Sequence, residues 1–304
     1  MELGISGRNA ALLAVAAGIV SGISIYLNKL AITDFSPMAF SFLKNAFVAM
    51  ALLAILFGAK KFGEIRKLSP KNWGGLFLIG TVGGSVSFLL FFYGLKLTSA
   101  LNAGFIQKIL FVFVSLFAFA FLKEKIGRRT MLAMAGMLAG LVAVSGFGFT
   151  SFGFGDMLIA IATLLWAVEI ILSKKALEGL GVGTVVFGRM AFGAVIMLAF
   201  LASTGNISVA EVGQMLSAQN ALWLAITGAM LLAYVLLLYS ALRHEKASVV
   251  TALLLVGVPV TALLSALGTG ALGIMQGIGI FLVLAGAAFM FRNSAGLSAQ
   301  RAVQ

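Results

Sequence analysis

The stretch SGISIYLNKLAITDFSPMAFSFLK, residues 21–44, decides the fold because an altered copy of it returns about 145 residues later in the chain. At this offset Lys29 corresponds to Lys174, and Lys44 corresponds to Arg189. Further pairs at the same offset are Ser21 with Trp166, Ser24 with Glu169 and Asn28 with Ser173. A repeat of half the chain length indicates a duplication, whereas a solenoid would repeat a shorter unit many times.

The composition places this duplicated chain in a membrane. Of its 304 residues, 62% are hydrophobic and only 10% are charged, whereas a soluble domain has about 25% charged residues. The apolar residues form solid runs of about 20 residues, the length that a helix needs to cross a bilayer. A membrane β-barrel would instead show short alternating segments. We therefore predict an all-α polytopic membrane protein with the lipid bilayer around it.

Ten apolar runs are predicted to span the membrane, five in each copy of the repeat. They cover residues 10–32, 37–57, 74–95, 100–121, 129–149, 156–176, 184–203, 221–241, 247–268 and 273–291. The first repeat is assigned to residues 1–149 and the second to residues 150–292, followed by a cytoplasmic tail of residues 293–304. Only Arg8 precedes the first run and no signal-peptide cleavage site follows it, so this run is interpreted as a retained helix.

Lysine and arginine residues in the connections predict how the helices are oriented. Sixteen of the 21 Lys and Arg lie in termini and loops on one side, and the loops of the other side hold a single cation, Lys96. Because cytoplasmic loops carry the excess of Lys and Arg, both termini are predicted to be cytoplasmic, in the cell (inner) membrane. With an odd number of helices per repeat, the second repeat must enter from the opposite side. The predicted fold is two inverted five-helix repeats, an arrangement found in secondary transporters.

Polar residues at helical spacing predict a cavity between the repeats. The four stripes are Gly18, Ser21, Ser24 and Asn28 on the first span, Thr81 and Ser85 on the third, Thr163, Trp166, Glu169 and Ser173 on the sixth, and Thr227 and Tyr234 on the eighth. Each set shares one helix face. Packing through small and hydroxylated residues is the alternative explanation of any single stripe, but four stripes in register favour a cavity.

Three cations, Lys44, Lys108 and Arg189, lie about two turns inside apolar runs. A charge at this depth costs at least ~2.5 kcal/mol and is a functional-site hypothesis by default. The alternatives are an ion pair between helices, or snorkelling to the interface, which is also expected of Lys29. Glu169 is the one acid well inside a span, so most of the positive charge should face water or an anionic solute, unless a buried lysine is neutral. Glu169 is also the candidate proton carrier, unless it forms a salt bridge with a neighbouring cation.

These patterns predict a substrate site and no catalytic, metal or cofactor site. The predicted substrate-binding residues are Ser24, Asn28, Lys44, Gln107, Lys108, Trp166, Glu169, Arg189, Thr227 and Tyr234. Desolvated cations hold carboxylate or phosphate better than neutral groups, so we expect a small metabolite with an anionic group and an apolar body. The chain has no cysteine and one histidine, His244, which is too few ligands for a metal.

Several short segments resemble EamA-type transporters of the drug/metabolite transporter superfamily. They are IYLNKL (25–30) with Pro37 and Lys44, YGLK (93–96) with Ser99 and Ala100, FLKEKI (121–126), and LAG at 138–140 and again at 284–286. The resemblance covers nearly the whole chain. It implies ten helices in two inverted repeats, a central cavity, alternating access and usually the export of metabolites such as amino acids. The chain departs from the family pattern at residues 107–109, where the family often has proline, and at residues 268–271, which lack a Leu-x-Glu-Arg-like turn.

The leading interpretation is therefore a secondary-active or facilitative transporter that exports its substrate. The chain has no G-x-x-x-x-G-K-[ST] loop and no connection long enough for a nucleotide-binding domain. A membrane-embedded enzyme acting on a lipid or phosphate substrate is an alternative, but it would need paired carboxylates, a Ser–His pair or a metal cluster within the spans. A channel is the third possibility. The net charge of +12 is explained by helix orientation, so no nucleic-acid partner is predicted; no oligomeric state is predicted either.

The topology predicts different accessibility for two introduced cysteines, since the chain has none of its own. A cysteine replacing Ala59 should lie in the cytoplasm, and one replacing Asn206 should lie outside. A membrane-impermeant maleimide applied to intact cells should therefore label only the variant at residue 206. Equal labelling of both variants from outside would contradict this topology.

Overall fold

The computed structural model describes residues 6–32, 36–145, 152–204, 217–269 and 272–301, and within them the chain forms ten long helices and no strand. The helices are α1 (Gly7–Ala31), α2 (Pro37–Gly58), α3 (Pro70–Leu97), α4 (Ala100–Lys108 continued by Leu110–Leu122), α5 (Arg128–Ser145), α6 (Phe154–Ala176), α7 (Val182–Thr204), α8 (Ala218–His244), α9 (Ala247–Leu253 continued through the 3₁₀ turn Leu254–Val256 by Gly257–Thr269) and α10 (Ile274–Arg301). A short helix, Phe62–Arg66, precedes α3.

These helices confirm the predicted all-α fold of ten spans in two repeats. Nine of the described helices are long and apolar enough to cross a membrane, and α5, which begins with two arginines, fills the remaining predicted position. Each predicted end lies within about one turn of a helix end, except that α10 continues through the predicted tail to Arg301. The predicted border at residues 149 and 150 and the labelling position Asn206 lie outside the described residues.

The two repeats interlock as inverted copies. α1 packs along α8, and its repeat mate α6 packs along α3, which is the mate of α8. α2 packs against its own mate α7, and α5 against its own mate α10, as a two-fold axis between the repeats requires. Each long helix has its most extensive contacts with a helix of the other repeat, so the core of the protein lies between the repeats.

Two lysines at corresponding positions cap the third helix of their own repeat. Lys29 Nζ donates to the carbonyl oxygens of Leu95 (2.9 Å) and Thr98 (2.5 Å) at the end of α3. Its mate Lys174 donates to two carbonyl oxygens at the end of α8, one of them that of Glu245 (2.8 Å). The last carbonyl groups of a helix lack donor partners and favour a cation. Lys29 thus caps the end of α3, whereas the sequence had suggested that its side chain snorkels to the membrane interface.

The carboxylate of Glu124, between α4 and α5, holds the beginning of α9. Its oxygens accept hydrogen bonds from the N–H groups of Ala247 (2.8 Å) and Ser248 (3.2 Å) and from the Ser248 hydroxyl (2.7 Å). We call this contact the Glu124 clasp. The mate of α9 is α4, which is capped by Ser99 from its own segment. The turn of the second repeat that corresponds to the Glu124 turn, residues 268–271, contains no acid, so this turn has no carboxylate with which to form the same contact.

The middle of α3 forms a wider π-helical turn, Gly80–Val86, where it crosses α6 and α7. A Cβ atom on Gly83 would lie 2.1 Å from Cγ of Glu169, and one on Gly84 would lie 2.2 Å from the carbonyl oxygen of Arg189. Both distances are far below van der Waals contact, so only glycine lets these helices approach so closely. Small residues serve the same purpose at helix crossings in membranes generally.

Replacing Gly84 by alanine tests this close approach. The new methyl group meets the backbone of α7 and should lower the free energy of unfolding by about 1–3 kcal/mol, the usual cost of overpacking. Gly75→Ala is the matched control, because Gly75 lies on the same helix and a methyl group there would meet nothing within 4 Å; it should leave stability unchanged or raise it. Thermal unfolding in detergent measures both. Equal unfolding temperatures for the two variants would contradict the packing described here.

Candidate functional site

A cavity of about 70 Å³ lies between the repeats, at the crossing of α1, α2, α3, α4, α6, α7 and α8; we call it the central cavity. Eight of the ten predicted substrate-binding residues line it: Ser24, Asn28, Lys44, Gln107, Trp166, Glu169, Arg189 and Tyr234. Its wall also includes Tyr239 and a group of aromatic side chains from α3, namely Phe88, Phe91 and Phe92. Residues of both repeats therefore face one enclosed space.

Lys44 is buried in this cavity with a neutral partner. Its side chain is 1% exposed, and its Nζ donates a hydrogen bond of 2.7 Å to Oδ1 of Asn28. The rings of Phe40 and Phe92 each lie 5.1 Å from Nζ, within the range of cation–π attraction. No described carboxylate forms an ion pair with Lys44, so its amino group is available to an anionic group that enters the cavity.

Arg189, the repeat mate of Lys44, is instead paired with Glu169. The Nε atom of Arg189 lies 3.6 Å from Oε2 of Glu169, and both side chains are almost fully buried. The other carboxylate oxygen accepts hydrogen bonds from the hydroxyl groups of Ser173 (2.5 Å) and Tyr239. Glu169 therefore has three partners, and the salt bridge that the sequence left open as its alternative role is present.

The carbonyl oxygen of Gly83 connects α3 to this charged cluster. It accepts hydrogen bonds from Nη2 of Arg189 (2.9 Å) and from Nε1 of Trp166 (3.0 Å). A π-helical turn frees carbonyl groups from the regular helical pattern, and such turns are frequent at functional sites. The irregular turn of α3 thus supplies an acceptor in the middle of the bundle, where few others exist.

Two polar groups of the cavity wall have no partner in the described structure. They are Oγ of Ser24 and Oε1 of Gln107, and both atoms are buried. A buried polar atom without a hydrogen bond costs about 1–3 kcal/mol. Both atoms lie in the lining that also contains Lys44, so a polar solute or ordered water in the cavity would satisfy them.

Two of the predicted residues do not line the central cavity. Lys108 donates a 2.7 Å hydrogen bond to Oγ of Ser21 and lines a smaller cavity between α4, α5 and α9. Thr227 is fully buried and donates to the carbonyl oxygen of Trp223 (2.8 Å) in its own helix. The hydroxyl groups of Thr81, Ser85 and Thr163 also bond to carbonyl oxygens one turn earlier in their helices. The hydroxyl groups of these threonine and serine residues thus donate within their own helices and not toward a solute in the central cavity.

The model of the EamA-like transporter family matches the chain twice, over residues 8–146 and 153–292. These two segments make up most of the chain and correspond to the two repeats of the structure. The chain belongs to the EamA-like transporter family. The central cavity therefore lies at the interface between its two EamA repeats.

Two known proteins are similar to this EamA-family chain. One, described as an uncharacterized transporter of Archaeoglobus fulgidus, is 26% identical over 199 residues, which is 64% of this chain and 67% of that protein. The other is a crystal structure that superposes with a TM-score of 0.71 at 18% identity, covering 93% of this chain and 98% of the other. At that identity the second match shows the fold alone.

Sequence reasoning missed two features of this EamA-family site. Tyr239 is a partner of Glu169, and its one signal is that it follows the predicted Tyr234 by five residues in an otherwise apolar run. The Gly83 carbonyl is a backbone group, so no side-chain pattern could identify it. Glycines at 80, 83 and 84 in the third span marked a close helix crossing without indicating which group is presented there.

The pairing of Arg189 and the isolation of Lys44 predict different costs for the same substitution. Arg189→Met leaves Glu169 as an unpaired buried charge and should lower the free energy of unfolding by about 3–5 kcal/mol. Lys44→Met is the matched control at the corresponding position. It leaves no opposite charge unpaired, so it should lower the free energy of unfolding clearly less. The double variant Arg189→Met/Glu169→Gln should recover part of the loss. Thermal unfolding of the three variants in detergent is the measurement, and equal losses for Arg189→Met and Lys44→Met would contradict the ion-pair assignment.

Proposed function

We propose that this membrane transporter moves a small metabolite with an anionic group, such as an amino acid or organic acid, out of the cell. The transport is secondary-active or facilitative. The observation that carries this proposal is Lys44, a buried ammonium group that faces the central cavity without a counter-ion among the described residues. An uncompensated charge inside a membrane protein is costly, and an anionic solute that binds there would offset this cost.

The contacts of the three intramembrane cations support one anion site in the central cavity. Glu169 already neutralises Arg189, and Lys108 lies behind Ser21, outside the lining. Lys44 is left to bind the anionic group. In the same lining, the unpartnered Ser24 hydroxyl group can donate to that anionic group, and the unpartnered Gln107 amide oxygen can accept from a donor group of the solute.

The remaining wall favours a substrate with an apolar part. Phe88, Phe91 and Phe92 of α3 line the cavity together with Trp166 of α6. The rings of Phe88 and Phe91 lie 5.5 Å and 5.2 Å from that of Trp166, so they form one continuous aromatic surface. Ligand sites commonly combine an apolar wall with a few polar groups that orient the ligand.

The size of the central cavity supports alternating access. Its volume is about 70 Å³, room for a few water molecules, whereas sites that enclose a small ligand have roughly 300–1,000 Å³. A metabolite can enter only if the helices around the cavity move apart. Inverted repeats provide two such openings, one toward each side, by rocking against each other.

The contacts of Glu169 bear on the coupling mechanism. Its carboxylate forms the ion pair with Arg189 and accepts two hydroxyl hydrogen bonds, so its oxygen atoms are engaged in contacts with three other side chains. This arrangement supports a structural role for Glu169 over that of a proton carrier. It leaves facilitated transport or exchange as the simpler mechanism. Both termini are proposed to lie in the cytoplasm of a cell whose inner membrane contains the protein.

Transport by purified protein in liposomes tests the proposed anion site. A thermal-shift panel of amino acids, organic acids and sugar phosphates first selects a substrate. Lys44→Met should then lower the transport rate at low substrate concentration by about ten- to hundredfold, the loss of one hydrogen bond to a charged group. Lys108→Met serves as the control, because it removes an equally buried cation outside the cavity. Normal transport by a folded Lys44→Met protein would refute the assignment, and a leak without counterflow would favour a channel.

A further inference from the structure

A second, larger cavity opens at the end of the bundle where α2 and α8 end and α7 begins. It has a volume of about 550 Å³, and we call it the end cavity. Lys61 and Glu64 line it from the short helix after α2, Thr184 lines it from α7, and Ser240 and Arg243 line it from α8. This combination of charged and hydroxyl groups is unlike the aromatic wall of the central cavity.

The first turn of α7 presents unsatisfied donors to the end cavity. Thr184 is 2% exposed, and its Oγ1 has no hydrogen-bond partner although it lines this cavity. The first intrahelical N–H bond of α7 is that of Val185 to the carbonyl oxygen of Gly181 (3.1 Å), and the N–H groups before it lack an acceptor within the helix. A methyl group on Gly181 would lie 3.2 Å from Oε2 of Glu64, and one on Gly183 would lie 3.0 Å from Leu56, so a solute anion would reach these N–H groups beside the Glu64 carboxylate.

The charges of the end cavity suit a solute with groups of both signs. Lys61 and Arg243 supply positive charge, and Arg243 also donates to the carbonyl oxygen of Leu180 (3.4 Å), next to the start of α7. Glu64 and Glu178 line the same space. An anionic group would be held at the beginning of α7, and the two carboxylates would attract an ammonium group of the same solute.

The end cavity adjoins the central cavity along two helices. Thr184 and Arg189 are five residues apart on α7, about 7.5 Å along the axis, and they line the end and central cavities respectively. On α8, Ser240 of the end cavity follows Tyr239 of the central cavity. The cluster around Glu169, to which Tyr239 belongs, therefore lies between the two spaces.

The corresponding helix start of the first repeat, as far as the structure describes it, lacks two of these donor groups. The residues of α2 that correspond to Val182, Gly183 and Thr184 are Pro37, Met38 and Ala39. Proline has no N–H group to donate, and alanine has no hydroxyl group. The duplication therefore offers an anion site at one end of the bundle, the end that carries most of the Lys and Arg.

We propose that the end cavity is a loading site, in which the first turn of α7, with Thr184, holds the anionic group of a solute before that solute reaches the central cavity. Its loading role depends on the transport function proposed above. Binding at the site does not depend on it and is measured separately. The expected ligand is a small carboxylate-bearing solute with an ammonium group; a phosphate-bearing solute shares the same anionic chemistry.

Protection of an introduced cysteine tests binding in the full-length protein. Ser240→Cys creates a single thiol in the end cavity, and its rate of reaction with a neutral maleimide is followed at constant ionic strength. Leucine should slow this reaction by about tenfold when it occupies nine-tenths of the sites. Leucinamide, which lacks the carboxylate, should not. Gly127→Cys, an exposed position with nothing around it, is the control and should show no protection.

Variants of the end cavity then distinguish a failure of the loading-site proposal from a failure of the transport proposal. Adding Thr184→Val to the Ser240→Cys protein should raise the half-protecting leucine concentration by about tenfold, and Lys61→Gln should raise it further. Lys44→Met should leave protection intact even where it abolishes transport. Protection by inorganic phosphate but not by leucine would overturn the carboxylate–ammonium assignment. No protection by either probe, or equal protection with Thr184→Val, would overturn the site itself.

Discussion

The burial of Arg189 in an apolar bundle is the constraint on which the centre of this protein depends. A guanidinium group at this depth needs a counter-ion and further acceptors, and they come from two other helices. α6 supplies the carboxylate of Glu169, and α3 supplies the carbonyl oxygen of Gly83 from its π-helical turn. α8 adds the hydroxyl group of Tyr239, which completes the hydrogen bonds of the carboxylate. One ionic cluster thus connects these four helices where they cross.

The corresponding cation of the other repeat, Lys44, has different partners. Lys44 and Arg189 each lie seven residues after the first residue of their helix. Arg189 has a carboxylate partner, while Lys44 has only an amide oxygen and two aromatic rings. After duplication one copy retained a cation with a carboxylate partner, and the other retained the cation that we propose binds the substrate. A symmetric pair of binding cations would have left the bundle without its central ion pair.

Much of the fold and of the central site could be predicted from the sequence, because both follow from the repeat. Lys44 and Arg189 were found by their common offset, and Ser24, Asn28 and Trp166 by their spacing on helix faces. Thr227 was predicted by the same rule but bonds within its own helix, because a hydroxyl group in a helix can always use a carbonyl oxygen one turn away. Lys108 was assigned to the substrate site only because it lies deep inside an apolar span. This depth does not determine the direction in which a long side chain points. The role of Gly83 depends on a local change of helix type that no spacing rule expresses.

The Glu124 clasp has an energetic consequence for the alternating access proposed above. It joins the two repeats at one end of the bundle, and the opposite turn has no acid with which to form the same contact. Opening the clasped end must break these hydrogen bonds, whereas opening the other end must break a different contact between the repeats, the 2.7 Å hydrogen bond from the Thr98 hydroxyl group to Asp156. Because different contacts join the two ends, the two closed states of the empty protein differ in free energy. A solute can bind from one face only to protein molecules that are open to that face, and the apparent affinity scales with their fraction. The solute should therefore half-saturate the protein at different concentrations on the two faces of the membrane. Its distribution across the membrane at equilibrium is unchanged.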